Sequence, residues 1–261
     1  MVSSDDQILG YSVYSRSMQE MVEEAFTRIR HPAAEPSVFA CINPHSYAVA
    51  LKDPVFSAAL VNSSWLVPDG VGVSIAARIL GKALRSRLTG PDFFTALSAR
   101  LANDGGARVF FLGSTPETLE KIRQRFAVDF PGATVVGTYS PPFKPVFDEA
   151  DTQAMVDAVN AAKPDVLWVG MTAPKQEKWI AENRLRLRVP FIAAVGAVFD
   201  FYAGNVKRAH PVFQRLGLEW LPRLVQQPKR LWRRMFVSAP VFVFCVIRER
   251  FVISSAKRSG K

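Results

Sequence analysis

Short apolar runs separated by amphipathic segments extend through most of this chain. The runs are 37–43, 65–69, 107–113, 133–139, 165–170 and 190–196. They are apolar at consecutive positions rather than at alternate ones, which indicates strands that are covered on both faces. The segments between them, at 71–81, 91–103, 116–129, 149–163 and 173–187, have helical periodicity. Strands that alternate with helices predict an α/β fold, with a Rossmann-like parallel sheet and helices on both faces.

The residues that follow these runs are the first candidates for a functional site. Right-handed crossovers place the carboxyl ends of parallel strands at one edge of the sheet, where open α/β sheets bind ligands. Glycine beside a helix start lets backbone N–H groups approach a phosphate, although glycine is also ordinary turn chemistry. The convergence of these turns favours a nucleotide-type ligand. The candidate ligand-binding residues at the strand ends are Asn43, Gly70, Gly72, Gly113, Ser114 and Gly170.

Asp69 is the candidate catalytic residue among these strand ends. It closes the run at 65–69 and precedes a Gly-Val-Gly stretch that leaves room for a ligand. A carboxylate held there by a strand has the chemistry of a general base towards a hydroxyl group. The same residue could instead be the N-cap of the helix at 71–81, and the residues alone leave both roles open. Asp92 and the acidic stretch at 148–151 are interpreted as helix starts.

The stretch PKQE at 174–177 places an unusual density of polar groups at a helix start. Pro174 is predicted to lie in the first helical turn, where its missing N–H costs nothing. Lys175, Gln176 and Glu177 then stand where a helix N-terminus can face phosphate, and the Gln176 amide can both donate and accept towards a uracil or a ribose. A plain capped surface helix would explain the proline and the glutamate but not the glutamine.

Residues with metal-binding or redox chemistry are few and scattered. Cys41 and Cys245 are far apart in apolar runs, a usage typical of a reduced cytosolic protein. The chain has neither a His/Cys cluster nor an Asp-x-Asp pair at a strand end, so no metal site and no other cofactor are predicted. His45 and His210 are isolated and His31 is predicted to lie in a loop, and a chemical role is not favoured for any of them. The N-terminal stretch lacks a basic region followed by an apolar one, so no signal peptide is predicted.

Positive charge is concentrated in residues 207–261. This segment contains 13 Lys and Arg against two Glu, a net charge of +11, whereas the rest of the chain carries −1. Its apolar run at 235–247 contains Pro240 and is shorter than the about 20 residues that span a bilayer. Basic flanks and several Phe are typical of a helix in the membrane interface, with a buried core helix as the alternative. We therefore predict an α/β core at 1–205 and a basic, helical, membrane-associating appendage at 206–261.

Several ordered stretches between Ser37 and Arg234 resemble one protein family. They are NPHSYAVALKDPVF, VPDGVGVSIAARILG, RLTGPDFF, FFLGSTPETL, PDVLWVGMTAPKQEKWI, VGAVFDFYAG, KRAHPVFQRLGLEWLPRL and QPKRLWRR. Together they resemble the WecG/TagA/CpsF glycosyltransferases, glycosyltransferase family 26. PDGVG, the glycine followed by PKQE, and GLEW followed by RL are the most specific parts.

The resemblance implies an inverting, metal-independent transfer of a hexose, an N-acetylhexosamine or its uronate from a UDP-sugar. The acceptor would be an undecaprenyl-diphosphate-linked saccharide in the synthesis of a bacterial surface polysaccharide or exopolysaccharide. It also implies a cytoplasmic protein that lies peripherally on the inner face of the plasma membrane, at an anionic surface. No nucleic acid partner is implied, and the oligomeric state stays open.

Individual residues take roles within this resemblance. Asp69 matches the family's proposed base, and the ligand-binding residues, with Lys175, Gln176 and Glu177, become donor-binding residues. Cys41 stands where some members have a functional Thr, whereas Asn43 is retained. The family's basic appendage closes over the site, and its diphosphate-binding residues here would be Arg223, Arg230 and Arg234.

Two other classes of protein stay open on the residues alone. A nucleic-acid-binding protein would use the basic segment on phosphates, and its affinity would fall steeply with salt. An NAD-dependent oxidoreductase shares the sheet architecture but would need a G-x-G-x-x-G turn, which the chain lacks. Binding to anionic vesicles rather than nucleic acid, and to UDP rather than NAD, would separate the three classes.

Overall fold

The computed structural model describes residues 5–82, 84, 88–206, 213 and 232–259, and its centre is a six-stranded parallel sheet. From one edge to the other, the strands are β4 (Trp65–Pro68), β3 (Ser37–Ile42), β8 (Phe191–Ala194), β7 (Val166–Gly170), β5 (Ala107–Gly113) and β6 (Ala133–Tyr139). Every neighbouring pair is parallel. Each predicted strand is present within two residues of its predicted bounds, so the predicted parallel sheet is confirmed.

Helices cover both faces of this sheet. They are α1 (Met18–Arg30), α2 (Pro44–Ala50), α3 (Pro54–Val61), α4 (Val71–Ile79), α5 (Gly90–Asp104), α6 (Pro116–Asp129), α7 (Glu149–Ala162), α8 (Lys175–Asn183), α9 (Val198–Tyr202) and α10 (Ala239–Ser259). A π-helix, Arg234–Ser238, leads directly into α10. The predicted helices correspond to α4 to α8, which confirms helices on both faces.

Most helix starts follow the local sequence, with one exception. Asp92 lies in the first turn of α5, where its N–H donates to the Thr89 side chain, and Asp148 caps α7 in a capping box with Asp151. Both helix-start interpretations are thus confirmed. The prediction for Pro174 is wrong, because this residue is the N-cap of α8 rather than part of its first turn. It lies after a cis peptide bond, in a turn closed by a 3.0 Å hydrogen bond from Lys175 N to Thr172 O.

Within the described residues, four helices and a hairpin were not predicted from the sequence. The hairpin is antiparallel and consists of β1 (Asp6–Ile8) and β2 (Tyr11–Val13); the helices are α1, α2, α3 and α9. Two of them start with a recognisable signal, because Asn43 precedes Pro44 and Asp53 precedes Pro54, a cap followed by proline at the first helical position.

The strand order determines where a ligand can bind. The chain goes outward from β3 to β4, crosses to β5 and β6 on the other side, and returns to β7 and β8. The strand β8 therefore fills the place between β3 and β7, where the connections diverge to opposite sides. Such a point in a parallel sheet leaves a crevice at the carboxyl ends of the strands.

Strand β3 shows how the core forms on both faces of the sheet. Phe39 and the partly buried Cys41 point to one face, whereas Ala40 and Ile42 point to the other. On the first face, the Phe39 ring stacks on Phe93 of α5 with centroids 4.2 Å apart. Because apolar side chains pack against both faces of β3, the strand has a defined position in the core. The residues that follow it therefore have defined positions at the edge of the sheet.

The C-terminal helix packs against the core with one side only. Phe242 and Val246 are buried in a cluster with Tyr47 of α2, and the rings of Phe242 and Tyr47 lie 5.4 Å apart. On the other side of α10, Phe244 and Phe251 are 65% and 69% exposed. The helix thus combines the buried face of a core helix with an exposed apolar face. Within the described residues, we find no helix with both the length and the apolar content needed to cross a bilayer.

Candidate active site

The carboxyl ends of β3, β4, β7 and β8 surround a cavity of about 150 Å³, which we call the central cavity. It brings together residues from distant parts of the chain. Its polar and charged lining consists of Asn43, Ser46, Asp69, Thr89, Thr172, Gln176, Glu177 and Arg234, beside the thiol of Cys41. The turn after β4 and the start of α8 therefore contribute to the same cavity, as the strand-end pattern predicted.

Asp69 is held in the central cavity by its backbone. Its N–H donates to Ile42 O at 2.8 Å, and the residue pairs with Leu88 in an isolated parallel bridge. The N-cap position of α4 belongs to Gly70, whose φ of +84° favours glycine, so Asp69 lies one residue before the cap. The half-buried carboxyl group is consequently fixed at the cavity by the sheet.

Cys41 lies within electrostatic range of two carboxyl groups. Burial raises the pKa of its thiol well above the usual value, and the charges of Asp69 and Glu177 raise it further. The side chain is therefore a neutral thiol at physiological pH rather than a thiolate nucleophile. A thiol is a weaker hydrogen-bond donor than a hydroxyl, so Cys41 is a poor replacement for the Thr that the resemblance implies at this position.

Gln176 connects the turns that follow β7 and β8. Its Oε1 accepts hydrogen bonds from Met171 N at 3.2 Å and Gly196 N at 3.1 Å, and its Nε2 donates to Glu177 Oε1 at 2.9 Å. The side chain is buried, and its carbonyl oxygen accepts from two backbone N–H groups at the strand ends, of which Gly196 N also lies 3.3 Å from Val169 O. This explains why a glutamine follows Lys175, since a residue that both accepts and donates is required.

Glu177 is a buried acid of the central cavity with a strongly raised pKa. It is 6% exposed, and burial raises its pKa to about 7, against a smaller lowering effect of the Gln176 hydrogen bond. Its Oε2 has no hydrogen-bond partner in the described part of the protein. The same carboxyl group also borders a cavity of about 100 Å³ beside Arg184. Near pH 7 a large fraction of Glu177 is protonated, and it can then donate a hydrogen bond.

A larger cavity of about 610 Å³, which we call the outer cavity, adjoins the central one. The two share Met171, Thr172, Gly196 and Ala197. Among the predicted donor-binding residues, Ser114, Gly170 and Lys175 line the outer cavity. The Lys175 ammonium group donates to Lys144 O at 3.1 Å and lies 4.4 Å from the Phe147 ring centre, and burial lowers its pKa.

The sequence prediction missed several residues of the outer cavity, among them one acid and one aromatic residue. Asp200 and the exposed Phe143 both line it. Asp200 follows the run at 190–196 by four residues, so extending the strand-end argument by one helical turn would have found it. Phe143 lies in the proline-rich loop before α7, and no sequence signal links that loop to the cavity.

Close packing accounts for several glycines that were predicted to approach a phosphate. A Cβ on Gly72 would lie 2.5 Å from Pro44 Cγ, and a Cβ on Gly113 would lie 2.5 Å from Gly170 O. On Gly170 it would lie 2.2 Å from the Phe199 ring. None of Gly70, Gly72 and Gly113 lines either cavity. Close contact with neighbouring elements requires glycine at positions 72 and 113, whereas the positive φ of Gly70 favours glycine there.

Asn43 has a local structural role in addition to its place in the central cavity. Its Oδ1 accepts from His45 N and Ser46 N at 3.0 Å each, which caps α2. Arg234 reaches the cavity from the π-helix, whereas Arg223 and Arg230 lie outside the described residues. In the described ranges, no three His, Cys, Asp or Glu side chains converge in a way that could hold a metal ion.

Comparison with known proteins shows the family of the chain. Residues 6–256 match the model of the Glycosyl transferase WecG/TagA/CpsF family. The chain belongs to this family. The resemblance found in the sequence is thereby confirmed.

Several relatives have the same name, N-acetylglucosaminyldiphosphoundecaprenol N-acetyl-beta-D-mannosaminyltransferase. The one from Bacillus spizizenii (strain ATCC 23059 / NRRL B-14472 / W23) is 35% identical over 219 residues, 84% of this chain and 82% of the relative. The one from Bacillus subtilis (strain 168) is 31% identical over 82% of this chain and 80% of the relative. A relative from Staphylococcus aureus (strain MW2) is 26% identical over 96% of this chain and 95% of the relative. The chain is accordingly a hexosyltransferase.

Proposed function

We propose that this chain transfers a hexose, an N-acetylhexosamine or its uronate from a UDP-sugar to an undecaprenyl-diphosphate-linked saccharide, in the synthesis of a bacterial surface polysaccharide. The observation that carries the proposal is that Asp69 and Arg234 line one cavity, which adjoins a second of nucleotide size. The names of the relatives support the choice of acceptor, because each names an undecaprenol-linked acceptor and an N-acetylmannosaminyl group.

The proposed mechanism uses Asp69 as the general base. The acceptor hydroxyl gives its proton to the Asp69 carboxylate, and its oxygen forms a bond to the anomeric carbon of the donor sugar. The bond between that carbon and the diphosphate oxygen breaks in line on the opposite side, so the configuration inverts, and the electron pair stays on UDP. The Arg234 guanidinium then stabilises the developing charge of the diphosphate, without a metal ion.

The outer cavity is the proposed nucleoside site. Its volume of about 610 Å³ lies in the usual range for small-molecule sites, roughly 300–1,000 Å³. Ser114 and Lys175 supply a hydroxyl and a cation there, and the backbone shared by both cavities is where the diphosphate would lie. In this arrangement the sugar enters the central cavity, near Asp69.

Incubation with a panel of UDP-sugars and an N-acetylglucosaminyl-diphosphoundecaprenol acceptor tests the proposal. Mass spectrometry of the product identifies the transferred sugar, and proton NMR gives its anomeric configuration. A parallel reaction with EDTA tests metal independence. The absence of transfer from every UDP-sugar, or a product that retains the donor configuration, would contradict the proposed reaction.

Ligand binding separates this reaction from the two other classes of protein. The thermal midpoint should rise with UDP and not with NAD, because only bound ligand stabilises the folded state. Binding to anionic vesicles should exceed binding to duplex or single-stranded nucleic acid at the same salt concentration. The opposite preferences would favour the oxidoreductase or the nucleic-acid-binding class.

Membrane association is proposed through the exposed side of α10. Phe244 and Phe251 project from a helix that also carries Arg248 and Arg250, a combination that suits the interface of an anionic membrane. This would place the protein on the inner membrane face, beside its lipid acceptor. The core at 1–205 and the appendage at 206–261 are proposed as the two functional parts.

Removal of both exposed rings should weaken membrane binding strongly. Burial of one Phe contributes about 1.5–3 kcal/mol, so the loss of both rings in Phe244→Ser with Phe251→Ser should reduce partitioning into phosphatidylglycerol vesicles by about 100-fold or more. Vesicle sedimentation measures this change. Val128→Ser is the matched control, because Val128 is 79% exposed on α6. Unchanged partitioning of the double variant would exclude this side of α10 as the membrane contact.

A further inference from the structure

A side-chain hydrogen bond joins the C-terminal segment to the rim of the active site. His45 Nδ1, in the first turn of α2, lies 2.8 Å from the Oγ of Ser238, the last residue of the π-helix. The serine is buried, at 6% exposure. The two residues are 193 positions apart in the chain, so this contact depends on the tertiary structure.

The two sides of this contact are anchored differently. On the core side, the side chain of Asn43 accepts the N–H of His45, and Asn43 follows β3 directly. On the other side, the apolar contacts of Phe242 and Val246 hold α10 against the core. These apolar contacts fix the position of α10, and the π-helix leads directly into it. The hydrogen bond between His45 and Ser238 adds a polar contact at the junction of the two helices.

Arg234 begins the same π-helix that Ser238 ends. Single π-helical turns within α-helices frequently occur at functional sites, and here Arg234 lines the central cavity with Asp69. The two residues are less than one π-helical turn apart, so rotation of this turn would move Arg234 as well. The orientation of Ser238 therefore affects the position of the guanidinium group.

The imidazole of His45 is suited to this neighbour. Burial lowers the pKa of His45 to about 4, and the positive charge of Arg234 contributes to the lowering. The ring is consequently neutral at physiological pH. A neutral ring can accept or donate towards the Ser238 hydroxyl without repelling the guanidinium group, whereas a lysine or a protonated histidine would repel it.

We propose that His45 is a positioning residue of the transfer reaction, which orients Arg234 over the central cavity through its hydrogen bond to Ser238. The proposal rests on the proposed function, because the group that Arg234 binds is taken to be the diphosphate of the donor. His45 lines neither the central nor the outer cavity, so its effect on the rate would pass through Arg234.

Kinetics of single and double variants test this role. Loss of one neutral hydrogen bond costs about 1 kcal/mol, so His45→Leu and Ser238→Ala should each lower kcat about five- to tenfold, with little change in the KM of the acceptor. His45→Asn should recover most of the rate, because its amide can replace Nδ1. His45→Lys should be slower than His45→Leu. His31→Leu is the control, because His31 is exposed after α1.

The effect of His45→Leu in a variant without Arg234 distinguishes a role in positioning Arg234 from a role in stabilising the whole fold. In an Arg234→Ala background, His45→Leu should change kcat by less than about twofold, since there is no guanidinium group left to orient. Equal effects of His45→Leu in both backgrounds would overturn the proposal. Thermal unfolding of each variant shows whether the fold is retained.

Hydrogen–deuterium exchange needs no substrate, so it tests the role of His45 independently of the proposed reaction. Hydrogen–deuterium exchange of the segment 232–241, in the full chain, should be faster in His45→Leu and Ser238→Ala than in the wild type or His45→Asn. If no UDP-sugar is turned over, the proposed function fails, but this exchange still tests the contact. Unchanged exchange in His45→Leu would show that His45 does not orient the segment.

Discussion

Replacement of Asp69 by Asn is expected to leave the protein folded and to lower the rate of sugar transfer by about 10²- to 10⁴-fold, the usual contribution of a general base. The substitution keeps the shape of the side chain, and the backbone bond to Ile42 and the bridge to Leu88 do not depend on the carboxylate. What is lost is the group that accepts the proton of the attacking hydroxyl. Single-turnover transfer from the donor identified by mass spectrometry measures the chemical step.

Binding of UDP provides the matching control for this variant. Asp69 is proposed to contact the acceptor hydroxyl rather than the nucleotide, so the Kd of UDP measured by calorimetry should change by less than about threefold. Asp157→Asn, on the exposed side of α7, should leave both the rate and the Kd unchanged. A rate for Asp69→Asn near that of the wild type would remove this residue from the mechanism.

Replacement of Glu177 by Gln is expected to increase the free energy of unfolding above pH 7. In the unfolded chain the carboxyl group ionises near its ordinary pKa of 4.5, whereas in the folded protein it keeps its proton until about pH 7. The folded state binds the extra proton between these values, so wild-type stability falls as the pH rises from 4.5 to 7. A shift of this size corresponds to about 3 kcal/mol at about pH 8.

Urea unfolding at about pH 5 and about pH 8 measures this effect. Glutamine keeps an oxygen that can accept from Gln176 and has no charge to bury, so the variant should be more stable than the wild type at the higher pH and nearly equal at the lower one. Glu182→Gln is the matched control, because Glu182 lies exposed on the same helix. A constant difference between Glu177→Gln and the wild type at both pH values would show that the pKa of Glu177 is not raised.

The titration of Glu177 should also change the activity of the enzyme with pH. If protonated Glu177 donates a hydrogen bond from Oε2 to the bound donor, wild-type kcat/KM should fall about fivefold above about pH 7, the effect of one hydrogen bond. The Glu177→Gln variant can donate from its amide at any pH, so its profile should be flat in this range. A wild-type profile without a change near this pH would limit Glu177 to a structural role.

The sheet could be predicted because its signal is local. Runs of consecutive apolar residues identified each central strand, and the acidic residues Asp92 and Asp148 identified helix starts. The helices α2 and α3 were missed because each is short, at seven and eight residues, and its apolar pattern merges with the neighbouring strands. Their Asn-Pro and Asp-Pro starts were the available signal.

The site could be predicted only in outline. Asp69, Gln176 and Glu177 were assigned to one site because strand ends converge, and the structure places them around one cavity. Gln176 was expected to face the ligand, but its oxygen accepts hydrogen bonds from Met171 and from Gly196, 20 residues further along the chain. Close packing also requires glycine at positions 72, 113 and 170, so these residues are not by themselves a signal for phosphate binding.

The amino-acid sequence by itself determined the alternation of strands and helices, the family and the concentration of positive charge after Lys207, since each depends on residue order alone. The tertiary structure decided the strand order, the burial that raises the pKa of Glu177, and the contact between His45 and Ser238. These features depend on how distant segments pack and exclude water. Packing and desolvation are properties of the folded chain, and no local pattern specifies them.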